Sequence, residues 1–429
     1  MLSSFFVQNF RSILELKLDF AYGERKAPNG YLEQEIIPFI EGGDKRRVVP
    51  CAAFFGANAS GKSNLLKAFD ALKRLVGAGG PLPELFEPNL LNRKFAETTF
   101  ALEFCLGGEC FEYRVVFDAT SIREESLRKN GKVLFAILAL QSAFAPEIAA
   151  GTYSAEKLAD ILRVECSDGE GRQTKPFLHR IGLGYPGLNA DLKQAFLYCR
   201  DRIVFYSNEQ PILLPAAVEV LASVMGGDKT AALLEITDIV RRLDIDIAAI
   251  DITQREVAAN EPIGPGNVIR IDQQTGARHA FQIAATHRDV AGALVLLDFI
   301  KHESAGTQRL AGLIGLILHA LKTGGVFMVD ELECSLHPLL MREIVLLFKK
   351  RRHNPKGAQL IFTTHNTDIL DDSILRVSEI ALARKNTANG TLVRRLVDAK
   401  NEGEDIRNVT NFRKQYLAGF YAGIPHPAL

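Results

Sequence analysis

A chain of 429 residues exceeds one ordinary core of about 100–200 residues, so two or three structural units, or one elaborated α/β domain, are expected. Hydrophobic residues make up 47% and charged residues 24%, and 34 Gly with 17 Pro are too few for a collagenous or low-complexity chain. Fifty-one basic residues balance fifty-one acidic ones, which argues against a surface built throughout to hold nucleic acid and leaves only local basic patches.

In chain order, the alternation of Leu14, Leu16, Leu18 and Phe20 with Glu15, Lys17 and Asp19 predicts a half-buried strand over 13–20. The run from Val48 to Phe55 is continuously apolar and ends in a Gly-rich loop, as a buried parallel strand does, and Lys62 to Val76 has helical spacing. Residues 77–88, rich in Gly and Pro, mark a break. Thr98 to Phe117, with Gly107-Gly108 between two alternating runs, reads as a hairpin. Residues 133–200 read as mostly helical, Arg202 to Tyr206 as a strand, 212–243 as helical, and 268–283 as a second hairpin with Thr275-Gly276 near its tip. A helix over Arg309 to Leu321, a buried strand over Val326 to Val329, a helix over 338–350 and a buried strand over Leu360 to Thr363 complete the pattern.

The first twenty residues lack a basic start, and Arg11, Glu15, Lys17 and Asp19 interrupt any apolar run, so no signal peptide is expected. The most apolar stretches, Val133 to Ala145 and Leu310 to Leu321, fall short of the about 20 residues that cross a bilayer. A soluble, cytoplasmic protein with no membrane partner is the expectation. Cysteines at 51, 105, 110, 166, 199 and 334 form no C-x-x-C pair and have no His at zinc-finger spacing, predicting neither a disulfide framework nor a structural zinc.

Gly56-Ala57-Asn58-Ala59-Ser60-Gly61-Lys62-Ser63 matches G-x-x-x-x-G-K-[ST], followed by Asn64. In this loop glycines let backbone N–H groups wrap phosphates, Lys62 reaches the β- and γ-phosphates of ATP, and Ser63 ligates Mg²⁺. The preceding strand and the following helix supply the right context, and the helix dipole adds to the attraction. The strand Val326 to Val329 ends in Asp330-Glu331, which suits nucleotide hydrolysis: Asp330 for the Mg²⁺ shell, Glu331 to polarise the attacking water. The strand Leu360 to Thr363 leads to Thr364 and His365, whose imidazole could contact the γ-phosphate or the water, although a lone His is more often structural. In His302-Glu303-Ser304-Ala305-Gly306-Thr307-Gln308-Arg309-Leu310, small residues precede a helical run, giving either a second anion site or a helix simply capped by Ser304. Two phosphate sites for one nucleotide suggest two copies of the chain arranged head to tail around ATP.

The order G-A-N-A-S-G-K-S, E-S-A-G-T-Q-R-L, V-D-E-L-E-C-S-L-H-P, T-T-H-N-T-D resembles the ABC-class ATPase heads of the SMC, RecF and OLD group. It is most similar to stand-alone "AAA-like" ABC ATPases, several of which are subunits of phage-defence systems such as PARIS. The resemblance implies an α/β fold: an ABC-type P-loop ATPase head with a mixed β-sheet core, an N-terminal antiparallel β-subdomain and an inserted helical region. It divides the chain into 1–76, 77–285 and 286–429. It further implies that Ser304, Gly306 and Gln308 are signature residues, that Ser335-Leu336-His337 form the D-loop, that His365 is the switch histidine, and that Arg11 in Asn9-Phe10-Arg11-Ser12 lies near the nucleotide. Tyr416-Leu417-Ala418-Gly419-Phe420-Tyr421 resembles the C-terminal end of the group.

Sixty-four residues follow His365, too few for the nuclease domain of OLD proteins, and no a/d pattern persists over several heptads as in long-armed SMC proteins. The expected role is therefore an oligomerising ATPase that acts as sensor or scaffold in antiphage defence and controls a separate effector, a nuclease. The alternative is a RecF- or SMC-like repair ATPase that binds DNA. Lys349-Lys350-Arg351-Arg352 is either a solvated helix terminus or a DNA contact, and Lys45-Arg46-Arg47 a strand flank or a binding surface. Asp244 and Asp246, without further ligands at fixed spacing, read as loop polar groups.

Overall fold

The computed structural model describes residues 1–22, 48–149, 153–209, 213–243, 246–258, 261, 267–271, 276–334, 336–386, 388, 390–399 and 412–418. Contacts divide the chain into two compact units: Met1–Phe205 with Gly324–Leu332 and Arg342–Leu429, and Tyr206–Thr323 with Glu333–Met341. Among the described residues no helix is long and apolar enough to cross a membrane.

The strands are β1 (Leu2–Phe10), β2 (Ile13–Asp19), β3 (Cys51–Phe55), β4 (Thr98–Leu106), β5 (Glu109–Phe117), β6 (Ile122–Lys129), β7 (Lys132–Leu138), β8 (Gln141–Phe144), β9 (Ile203–Tyr206), β10 (Ala249–Val257), β11 (Asn267–Ile271), β12 (Arg278–Arg288), β13 (Leu294–Asp298), β14 (Val326–Val329), β15 (Gln359–Thr363), β16 (Ile380–Asn386) and β17 (Gly390–Arg395). The first unit is built on a 13-stranded sheet in the order β8-β7-β6-β5-β4-β1-β2-β17-β16-β3-β15-β14-β9. One end is an antiparallel meander, while β16, β3, β15 and β14 run parallel to one another. This is the expected α/β class with a mixed sheet and an antiparallel N-terminal part. The parallel strands are buried on both faces, β3, β14 and β15 throughout, which is why their sequences read as unbroken apolar runs. By contrast β2 alternates buried and exposed along most of its length, as a one-sided strand does.

The helix α1 (Lys62–Ala78) buries Leu65, Leu66, Phe69, Leu72 and Val76, a stripe at helical spacing. Phe69 stacks on Phe5 of β1 at 3.8 Å between ring centroids. Residues 77–88 hold a single-turn helix, α2 (Leu82–Leu85). The expected helical stretch 133–200 requires correction: it begins as strands β7 and β8, and only then come α3 (Ala155–Glu165), α4 (Phe177–Gly182) and α5 (Ala190–Leu197). A short apolar run such as Val133 to Leu138 has no decisive period of its own, and cross-strand pairing of Phe135 with Leu127 and Phe144 settles it as sheet. The absence of a disulfide is also corrected. Register places Cys105 of β4 opposite Cys110 of β5, and their sulfurs are joined.

In the second unit, α6 (Leu214–Ser223), α7 (Lys229–Arg242) and α9 (Ala305–Thr323) pack together, and β10 to β13, with α8 (Phe299–His302), form a separate four-stranded sheet. Gly315 of α9 meets α6 so closely that an added Cβ would lie 2.8 Å from that of Ala217. The expected hairpin is the β11–β12 pair, and β10 and β13 extend it; Thr275 lies outside the described residues. The remaining helices, α10 (Pro338–Lys349), α11 (Leu396–Ala399) and α12 (Phe412–Leu417), follow β14.

The meander is tied to α4 by one buried carboxylate. Glu125 of β6 is fully buried and accepts from the amides of Phe177 (2.6 Å) and Leu178 (2.9 Å), from Tyr113 (3.0 Å) and from Gln173 (2.7 Å). Pro176, the N-cap residue of α4, offers no capping side chain, so Glu125 satisfies the helix start from another element. Burial pushes its pKa up against these four bonds. Glu125→Ala is expected to cost about 2–4 kcal/mol, read as a lowered urea midpoint, because buried donors lose their acceptor.

His179 of α4 donates from Nδ1 to the carbonyl of Val76 (2.9 Å), and burial lowers its pKa below the ordinary 6.5. Below that pH the unfolded chain takes up a proton that the folded chain resists, so stability present at neutral pH is lost as pH falls through 6.5. Asn carries an amide donor near the Nδ1 position, so His179→Asn should flatten the pH dependence of the unfolding midpoint on the acid side of 6.5; an unchanged slope would assign the loss elsewhere.

Candidate nucleotide site

Three of the sequence-predicted elements meet at one edge of the large sheet. Register aligns Phe54 of β3 with Thr363 of β15 and Phe362 of β15 with Val329 of β14, all parallel. The phosphate loop, Thr364-His365 and Asp330-Glu331 therefore leave the sheet at the same level and on the same side.

The loop is shaped by backbone conformations that favour glycine. Gly56 has φ 151°, and a Cβ there would lie 2.2 Å from the carbonyl oxygen of Ala383; Gly61 has φ 99°, and a Cβ there would lie 1.9 Å from Thr391 Oγ1. Ala59 shares the left-handed region at φ 60°. Gly61 is the N-cap of α1 and brings no side chain to the first-turn amides, so those donors are available to an anion. Ser60 is buried with its hydroxyl lacking a hydrogen-bond partner. Lys62, buried, donates to the carbonyls of Gly56 (2.8 Å) and Ala57 (3.0 Å), while Asn58 is exposed and Ser63 half-buried. This donor set fits a polyphosphate.

The acidic pair divides between two environments. Asp330 is buried and accepts from Thr363 Oγ1 at 2.5 Å, and the same hydroxyl accepts from the amide of Glu331 at 2.8 Å. Glu331 takes φ 51° and is exposed. Thr363 thus sets the turn that separates a buried carboxylate from an exposed one, a role the sequence reading did not assign although the T-T-H run contains it. His365 is exposed at the same edge. The fit to Mg²⁺ is that of a hard-ion site with few protein ligands: Asp330 and Ser63 offer oxygens, and among the described residues no group of three or more His, Cys, Asp or Glu forms a metal cage.

Asn64 of α1 donates to Ser12 Oγ (2.7 Å), which pairs with Thr391 Oγ1 (2.7 Å). The N-F-R-S element is therefore joined to the phosphate-loop helix through Ser12. Arg11 itself, at φ 49°, bonds Glu87 through its guanidinium (2.8 Å) and its amide (2.6 Å). Asn9 is fully buried and braces Phe95, Glu97 and Asn89 backbone groups.

The Ser304 segment belongs to the second unit. Ser304 Oγ accepts from the amide of Thr307 (3.1 Å), the capping arrangement, and Gly306 lies in the first turn of α9. Gln308 donates back to the carbonyls of Ile300 and Glu303, both at 3.0 Å. Ser335, expected in a D-loop, Lys45-Arg46-Arg47, Asp244 and Gly419-Phe420-Tyr421 lie outside the described residues. The basic run 349–352 is corrected in part. Lys349 is neither solvated nor open to DNA, being buried against Glu379 at 2.6 Å, while Arg351 and Arg352 are exposed.

Residues 233–371 match a protein-family model described as "AAA domain, putative AbiEii toxin, Type IV TA system". Over those residues the chain is similar to an AAA domain. Among solved structures it is similar to the SMC head domain from Thermotoga maritima, at 14% identity and a TM-score of 0.41, over 92% of this chain and 98% of that one. No curated protein sequence matches.

Thr363→Val keeps the shape of the side chain and removes the hydroxyl shared by Asp330 and Glu331. It is expected to lower unfolding free energy by about 1–3 kcal/mol in urea denaturation, with Thr363→Ser retaining most of it.

Proposed function

We propose that the chain is an ATP-binding and hydrolysing ABC-class ATPase whose sites are completed by a second copy. The observation that carries this reading is the alignment of β3, β15 and β14, which brings the phosphate loop, His365 and the Asp330-Glu331 pair to one edge. The loop amides and Lys62 hold the phosphates, Lys62 exchanging the carbonyls of Gly56 and Ala57 for phosphate oxygens. Ser63 and Asp330 hold Mg²⁺, which supplies charge neutralisation at the phosphates. Glu331, exposed beside them, accepts a proton from the attacking water, and His365 hydrogen-bonds the γ-phosphate or that water. Ser304, Gly306 and Gln308 of a neighbouring copy close over the γ-phosphate, so assembly follows nucleotide state.

In the cell the assembly serves as sensor or scaffold of an antiphage system that restrains or releases a separately encoded effector, a nuclease. The matching family description names a toxin and a toxin–antitoxin system, which is compatible with such a defence module. Lys62→Ala should abolish phage protection, and the effector should co-purify from cells carrying the neighbouring gene; protection that survives Lys62→Ala, with no effector bound, would count against this role.

Lys62→Ala and Glu331→Gln are expected to reduce ATP turnover at least about 100-fold. Glu331→Gln should accumulate an assembly of higher mass in light scattering only with ATP and Mg²⁺, and Ser304→Arg should prevent it. A mass indifferent to nucleotide in all variants would refute the shared site.

A further inference from the structure

The two sides of the phosphate loop differ. In the large sheet β15 and β14, which lead to His365 and to Asp330-Glu331, lie on one side of β3, and β16 and β17 lie on the other. Hydrolysis of ATP takes place at the terminal phosphate, so that phosphate belongs on the β15–β14 side with the two carboxylates. A nucleotide laid across the loop after β3 then carries its nucleoside end toward β16 and β17.

Register and burial fix which side chains of that hairpin face the loop. Ala52 and Phe54 of β3 share one buried cluster with Leu65 and Leu66 of α1 and with Ala381 of β16, which marks the α1 face of the sheet; Phe55 points away, its ring 6.1 Å from that of Tyr416. Alternation along β16 puts Ala383 and Lys385 on the α1 face with Ala381, and Arg384 on the opposite one. The carbonyl of Ala383 is the group that crowds Gly56, and Lys385, which is exposed, lies about 7 Å farther along the strand. Across the hairpin Lys385 pairs with Thr391, and directly paired residues of an antiparallel ladder share a face. Thr391 is fully buried, closes against Gly61 and bonds Ser12 Oγ. Lys385 therefore stands beside the start of α1. The hairpin is also braced there: the Thr391 amide donates to the Ser12 carbonyl (2.7 Å) and Asn92 Nδ2 to the Ala388 carbonyl (3.0 Å).

Resting on the ATPase reading above, we propose that Lys385 binds the α-phosphate of ATP, which makes the β16–β17 hairpin the nucleoside end of the site. Its flexible four-carbon stem lets the ammonium turn to an anion at the helix start, and the hydrogen bonds it donates there are charge-assisted. Lys62 serves the β- and γ-phosphates and Lys385 the α-phosphate, from the side opposite Asp330 and Glu331. ADP carries the same α-phosphate, so Lys385 holds ADP as firmly as ATP and takes no part in hydrolysis.

The test is calorimetric titration of the full chain with Mg-ADP and Mg-ATP, together with ATP turnover. Lys385→Gln should weaken both nucleotides by the same factor, about tenfold. In turnover the loss should fall on KM and not on kcat, the mark of an interaction made equally in ground and transition states. Lys385→Arg should restore most of the affinity. Raising salt to about 1 M, where screening shortens to about 3 Å, should narrow the gap between Lys385→Gln and the native chain. Arg384→Gln, which removes the same charge from the opposite face, should change neither affinity. Unchanged affinity in Lys385→Gln, with Lys62→Ala still abolishing binding, would overturn this assignment alone, whereas a native chain that binds neither nucleotide would overturn it together with the ATPase reading. A fall in kcat at unchanged KM would move Lys385 to the terminal phosphate and so refute the α-phosphate contact, and an equal loss in Arg384→Gln would reduce it to general surface charge.

Discussion

The level at which β3, β15 and β14 end is the constraint on which the rest of the site depends. Parallel pairing gives evenly spaced, slanted bonds, so Thr363 beside Phe54 and Val329 beside Phe362 leave no freedom in where the following loops begin. At that boundary the amide of Leu332 donates to the Thr363 carbonyl, and that of Thr364 to Phe54. The loops thus start from a buried floor, and the left-handed Glu331 is held by the bond from its amide to Thr363 Oγ1 on the neighbouring strand. Strain of this kind persists only where the surroundings over-determine it.

Polar groups inside the first unit repeat one solution. Glu125 and Glu379 are both fully buried. The first is surrounded by amides, a phenol and a carboxamide; the second accepts from Lys349 and from the amide of Arg376. Each joins elements distant in sequence, β6 to α4 in one case and α10 to the segment before β16 in the other. Burying such a carboxylate is costly unless donors reach it, and those donors are in reach only when the elements are in their final places. Their contribution is therefore more to uniqueness of packing than to net stability.

The second unit uses a different principle. Its helices approach through small residues, as at Gly315 against Ala217, and its polar interior is sparse. The guanidinium of Arg309 and the phenol of Tyr206 border an apolar cavity, an environment in which charge is weakly screened. The first turn of α9 borders that environment on one side and carries the Ser304 cap on the other.

How far the sequence could be read depends on whether a feature is local. The strand before the phosphate loop, the loop, α1, β14 and β15 were legible because each carries its own period or its own glycine requirement within a few residues. The strands β7 and β8 were not, since Val133 to Leu138 has no period that distinguishes a short strand from a buried helix segment until Leu127 and Phe144 pair with Phe135. The cysteines illustrate the same limit: Cys105 and Cys110 are joined because the register of a hairpin sets them opposite each other, and no spacing rule states that. Lys349 was placed among solvated cations because its partner, Glu379, is thirty residues away. By itself the sequence determined the Gly-rich G-x-x-x-x-G-K-S loop between strand and helix and the acidic strand end, which are encoded in contiguous residues, and its resemblance to ATPase heads implied the mixed α/β class. Only the tertiary structure decided that Thr363 divides Asp330 from Glu331, that Arg11 is tied to Glu87, and that a guanidinium borders a cavity in the second unit, because each depends on groups brought together by packing.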